Sequence, residues 1–92
     1  MRIKNGYMLR SIGGTYIVVP VAERVIEFKG MITLNEVSAK IWEFMAVDRE
    51  YDEIVELVLS IFDTDIETVK RDLDALLKQM EDNGVLVDER TE

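Results

Sequence analysis

The chain of 92 residues has no cysteine, no histidine and only one proline. Without cysteine there are no disulfides, thiolate nucleophiles or zinc-thiolate sites, and without histidine the usual general base and the commonest transition-metal ligand are gone. The three serines, Ser11, Ser38 and Ser60, therefore have no imidazole to activate them, and neither a GxSxG elbow nor a phosphate-cradling glycine loop appears. Long apolar runs are missing as well. The longest, "YIVVPVA", is far too short to cross a bilayer, and the start "MRIKNGY" has no apolar signal core, so no membrane partner is expected and the cytosol is the expected location. Excess positive charge is the last absence: the formal net charge is −8, which repels phosphate backbones and argues against a nucleic-acid partner. What remains is binding, with neither catalysis nor a cofactor expected.

The composition that is present, 48% hydrophobic and 33% charged, is that of a globular chain rather than a disordered one. Its length suits a single domain over residues 1–92, with an ordered core at about 5–88 and frayed ends, burying roughly 60 to 65% of its unfolded surface. Charge is unevenly spread. Residues 1–34 carry five basic groups (Arg2, Lys4, Arg10, Arg24, Lys29) against Glu23 and Glu27, whereas the rest carries six basic against seventeen acidic.

Two β-prone runs, "YMLRSI" (7–12) and "TYIVVP" (15–20), flank Gly13-Gly14, a two-residue turn that tolerates positive φ and predicts a β-hairpin. Pro20 cannot donate to a ladder and marks the end of the second strand. A third strand is predicted at Arg24 to Phe28, where Ile26 and Phe28 alternate with charged residues, giving an antiparallel meander. From Asn35, a natural N-cap, the period becomes helical: Val37, Ile41, Phe44 and Met45 share a face broadened by Trp42. A second helix at about 52–62 carries apolar residues around most of its circumference and is expected to be the most buried, with Asp52 and Glu53 in its first turn. A third opens with Thr64 as N-cap and Glu67 as its capping-box partner, runs to about Asn83, and ends at Gly84 in a left-handed C′ position, with Val85 to Val87 folding back on the core.

The carboxylates fall mostly on predicted helix faces and caps, where solvation explains them. The segment "DTDIE" (63–67) resembles the start of a calcium loop but lacks the glycine at position six and leads straight into a helix; capping is the reading that fits. On α-helical geometry Ile66, Val69, Leu73, Leu76, Leu77 and Met80 of the third helix span an arc of about 100°, flanked by Lys70, Asp74 and Glu81. In the meander the first and third strands are edges, and an extended peptide added to the third would gain ladder hydrogen bonds from the backbone and specificity from side-chain pockets.

With those elements in view, "YIVVPVAERVIEFKGMITLNEVSAKIWEF" followed by "DLDALLKQMEDNGVL" resembles the PqqD family, the leader-peptide recognition domains of ribosomally synthesised, modified peptide pathways. Leu34-Asn35-Glu36, Ala39, Ile41-Trp42, Asp72-Leu73, Leu76, Leu77 and Gly84-Val85-Leu86 carry the resemblance, which covers almost the whole chain although each motif alone is degenerate. It implies an α+β, winged-helix-like fold: a three-stranded antiparallel sheet followed by a three-helix bundle. It also implies a non-catalytic adaptor that holds the leader of a precursor peptide as an added strand and presents it to a modifying enzyme, often a radical SAM protein. Carried over by position, Val25, Ile26, Glu27 and Phe28 would supply the strand, and Lys70, Leu73, Asp74 and Leu77 would border the cleft. The link "FKGM" before "LNE" is longer than in the quinone-pathway members. That extends the usable edge to Met31 and Ile32 and points to a precursor other than that of pyrroloquinoline quinone.

Two other readings stay open. A winged-helix nucleic-acid binder needs a basic recognition helix, but residues 66–83 carry Lys70, Arg71 and Lys78 against Glu67, Asp72, Asp74, Glu81 and Asp82. An interaction domain that pairs with itself through an open strand edge would form a homodimer without a peptide ligand.

Overall fold

The computed structural model describes residues 1–21 and 32–87. Within them the chain runs β1 (Arg2–Ile3), β2 (Tyr7–Ile12), β3 (Thr15–Pro20), β4 (Ile32–Leu34), α1 (Glu36–Phe44), α2 (Tyr51–Ile61), α3 (Ile66–Asp82) and β5 (Leu86–Val87). Strands β2, β3 and β4 form an antiparallel sheet in that order, and β1 pairs antiparallel with β5. The class is α+β, a three-stranded sheet followed by three helices, as the sequence predicts.

The hairpin forms where the glycines predict it. Gly13 (φ 56°) and Gly14 (φ 83°) both occupy the left-handed region, and this pair of positive φ values matches the twist of the flanking strands. Pairing then runs from Ile12↔Thr15 out to Tyr7↔Pro20. On its other side β3 pairs with β4, in the register Tyr16↔Leu34, Ile17↔Thr33 and Val18↔Ile32. The strand expected at Arg24–Phe28 lies outside the described residues, and the described strand beside β3 is Ile32–Leu34. Its alternation is clear: Ile32 and Leu34 are buried while Thr33 is exposed.

Each helix starts on a local device. Asn35 caps α1, its side-chain oxygen accepting the Ser38 N–H at 2.8 Å. At the start of α2 the Glu50 N–H donates to the Glu53 carboxylate at 2.8 Å. Helix α3 corrects the sequence reading: its N-cap is Asp65 rather than Thr64, and the Asp65 carboxylate accepts the Thr68 N–H at 2.8 Å. That backbone hydrogen bond holds the Asp65 carboxyl below the ordinary aspartate range, because it favours the charged form. At the other end Gly84 (φ 71°) lets the Gly84 N–H reach the Glu81 carbonyl and the Val85 N–H reach the Met80 carbonyl, each at 3.0 Å, the double closure of a Schellman motif.

The core is continuous and apolar. It joins Val18, Ile32 and Leu34 of the sheet to Ile41 and Trp42 of α1, Ile54, Val55 and Val58 of α2, and Val69, Leu73, Leu76 and Met80 of α3, and no polar or charged side chain among the described residues is buried. Two expectations change here. Helix α2 buries three of its 11 residues, a smaller share than the three of nine in α1, and its Ile61 is exposed: an apolar surface running round a helix stays partly in water where no element covers it. The front of the chain is also not frayed. Met1 and Ile3 are buried, the Ile3 N–H donates to the Met45 carbonyl at 2.9 Å, and the Lys4 N–H donates to the Val85 carbonyl at 2.8 Å. This threads the first residues between the end of α1 and the end of α3.

Leu73 is fully buried at the centre of α3's inner face. Leu73→Ala is therefore expected to lower stability by about 2 to 5 kcal/mol, read as a fall in the urea unfolding midpoint with unchanged slope.

Candidate functional site

Among the described residues the third position of the sheet is an edge: β4 has a neighbour on its β3 side only. In an antiparallel ladder successive residues point their N–H and C=O alternately towards the neighbour and away from it. A three-residue edge strand therefore turns at least one full donor–acceptor pair outward, the arrangement that templates another strand.

Helix α3 runs alongside that edge and a groove lies between them. Thr33, Leu34, Asn35 and Ser38 form one bank; Asp72, Ala75, Leu76 and Gln79 of α3 form the other, enclosing about 210 Å³. The strand passes directly into α1 through the Asn35 cap, so Asn35 and Ser38 are held in place by their own hydrogen bond. Asp72, Ala75, Leu76 and Gln79 follow a spacing of three, one and three, which keeps them on one flank of a helix. Leu76 turns inward to the core while Asp72 and Ala75 are exposed, so the groove has an apolar base and a polar rim. Arg71 lies 3.8 Å from the Asp72 carboxylate, both largely in solvent, a pair worth little in stability.

The residues carried over by resemblance fall in three places. Val25, Ile26, Glu27 and Phe28 lie outside the described residues. Leu73 is wholly buried beneath the helix. Lys70 and Asp74 are exposed and Leu77 is half-buried; Lys70 and Asp74 lie about 160° to 200° around α3 from Asp72, on the flank turned to α2. There the Tyr51 hydroxyl donates to the Asp74 carboxylate at 2.7 Å. The β4 groove thus runs along the opposite flank from the one marked by Lys70 and Asp74. None of the eight residues lining the groove was among those carried over: Leu34, Asn35, Asp72 and Leu76 entered the sequence reading as carriers of the resemblance rather than as cleft residues, and Thr33, Ser38, Ala75 and Gln79 were given no role at the cleft. The signal available for them was the "ITL" alternation immediately before the Asn35 cap, and the small and polar residues spaced along one flank of the third helix.

No group of three or more acidic side chains among the described residues is placed to hold a metal ion. The Tyr51 phenol is pushed up to about 12, first by burial and then by the Asp74 hydrogen bond and charge and by the Asp52 charge, all of which disfavour the phenolate.

Three comparisons bear on this geometry. The PqqD family profile, described as Coenzyme PQQ synthesis protein D, matches residues 9–86. The fold is similar to that of a solved structure, TbiB1 in complex with the TbiA(beta) leader peptide, over 96% of this chain and 100% of that one, with a TM-score of 0.69 at 20% identity. No curated protein matches.

The Tyr51 and Asp74 contact makes a pH prediction. The folded chain holds the phenol proton more tightly than an unfolded chain whose tyrosine ionises at 10.0, so this contribution to stability is intact below pH 10 and lost as pH rises towards 12. Tyrosinate absorbance should show one phenol ionising near 12, and Asp74→Asn should bring that step down; an unchanged step would show the contact to be absent in solution.

Proposed function

This chain belongs to the PqqD family, and from that premise we propose that it is a non-catalytic adaptor for a ribosomally made precursor peptide. It binds the leader of that peptide by adding it as a strand to the outer edge of β4, and it presents the peptide to a modifying enzyme, of the radical SAM class in much of the family. The observation that carries this reading is the open β4 edge lying beside α3 across a groove, in a fold similar to that of TbiB1, whose structure holds the TbiA(beta) leader peptide. Backbone pairing would set the register with little dependence on peptide sequence, and the groove would read alternate side chains. On this reading the peptide's side chains meet Asp72, Ala75, Leu76 and Gln79, and Leu73 acts beneath them as core.

The edge expected at Val25 to Phe28 lies outside the described residues, and β4 falls within the extension towards Ile32 that the longer link implies. Lys70, Asp74 and Leu77 stand on the far flank of α3 and serve the adaptor only indirectly, through the packing of α2 on α3.

The test is titration calorimetry with the synthetic leader of a short precursor encoded beside this gene. Ala75 is exposed on α3, so Ala75→Trp fills the groove without disturbing the core. It should weaken leader binding at least tenfold, about 1.4 kcal/mol, with an unchanged thermal melt. Asp74→Asn should bind like wild type. Equal binding by Ala75→Trp and wild type would refute the groove, and no binding by wild type would refute the adaptor for that precursor.

A second reading has its own observation. Strand β2 is the opposite edge of the sheet, six residues long, with Met8 and Ile12 exposed at 49% and 61%. Two copies pairing through β2 would form a homodimer with two-fold symmetry and leave β4 free. The expected result is sedimentation that shifts with concentration and is abolished by Ser11→Pro, which removes an outward N–H while leaving the Arg10↔Ile17 pair intact; a constant monomer removes this reading.

A further inference from the structure

Beside the groove, across Asp72, lies a second, deeper depression that backbone pairing does not use. Its walls are Val37 and Ile41 of α1, Val58 and Phe62 from the end of α2, and Val69 of α3, and it measures about 240 Å³. A dry cavity of about 150 Å³ already accommodates a benzene ring, so this one has room for a whole aromatic side chain. The two depressions adjoin, with Asp72 lining both.

The mouth differs in kind from the walls. Asp63 and Asp72 stand there as carboxylates with Thr64 between the elements that carry them. Both aspartates are exposed, Arg71 is the cation beside Asp72, and the first turn of α3 adds the acidic Glu67. The local balance is negative, in a chain whose net charge is −8.

We propose that this depression is an anchor pocket for one aromatic side chain of the bound peptide, lying just outside the paired segment and adjacent in sequence to an arginine or lysine. The apolar walls take the ring and the Asp63 and Asp72 carboxylates take the cation. An acidic neighbour would meet like charge at the mouth and be rejected, which is how a rim charge selects among partners. The inference rests on the adaptor reading for its ligand and on the pocket alone for its chemistry.

The experiment separates the two. The whole chain, labelled for amide NMR, is titrated with N-acetyl-phenylalanyl-arginine amide and, separately, with N-acetyl-phenylalanyl-glutamate amide. The expected result is saturating shifts centred on Val37, Ile41 and Val69, with the arginine dipeptide bound about threefold or more tighter, the scale of exposed charge contacts. Asp63→Asn combined with Asp72→Asn changes two solvent-facing side chains. It should retain the phenylalanine-dependent shifts and bring the two dipeptides to equal affinity. Absence of shifts at the pocket, or equal affinity for the two dipeptides in wild type, overturns the proposal.

The synthetic leader titrated into the same sample reports on the adaptor reading through Thr33, Leu34 and Ser38. Leader binding without dipeptide binding overturns the pocket and keeps the adaptor. Dipeptide binding without leader binding does the reverse.

Discussion

The structure turns on the junction at Leu34, Asn35 and Glu36, where a strand passes into a helix with a single residue between them. Ile32 and Leu34 point into the core, which fixes the face of the strand. Asn35 then caps α1 through the Ser38 N–H, which fixes the direction of the helix. Because the chain leaves β4 immediately, the residues that follow it turn into α1 rather than back over the outer edge of that strand. Helix α3 approaches from the side through Leu76, and the space between the two becomes a groove.

The core explains why so small a platform is rigid enough for this. Its members come from every described helix and from both the sheet and the β1–β5 pair, so the elements cannot move independently without opening apolar surface. The Schellman closure at Gly84 returns Val85 to full burial and sets β5 against β1. That end of α3 is therefore held while its Asp72, Ala75 and Gln79 flank stays in contact with solvent. Polar groups are kept to the surface, as expected for a domain whose limited core cannot offset the desolvation of an unpaired charge.

Devices specified by one or two residues were legible in the sequence: the turn at Gly13-Gly14, the cap at Asn35, the left-handed stop at Gly84. Each depends on local backbone chemistry that nothing distant overrides. Thr64 and Asp65 are both good caps one residue apart, and only the packing of α3 chooses between them. The strand beside β3 was harder, because Arg24–Phe28 and Ile32–Leu34 are both β-prone and the second is only three residues long, abutting a helix signal. Strand β1 had no periodicity to reveal it, being two residues whose partner lies at the other end of the chain. The groove was half legible. A helical wheel finds the buried arc of α3 but treats its two flanks alike, and which flank faces β4 depends on how the helix is rotated in the assembled bundle.

The short length of β4 also limits what strand addition alone can supply to the proposed adaptor. Only Thr33 turns its backbone outward, because Tyr16↔Leu34 and Val18↔Ile32 are the backbone-bonded pairs, so β4 offers two outward hydrogen bonds, each worth about 0.5 to 1.5 kcal/mol net. Association costs about 4 to 15 kcal/mol in lost freedom. The backbone pairing therefore cannot hold a peptide by itself. The balance has to come from side chains buried in the groove and in the apolar depression that adjoins it at Asp72. A short edge thus places most of the discrimination in a few side-chain contacts: the ladder sets the peptide's register, and the pockets beside it decide which peptide stays.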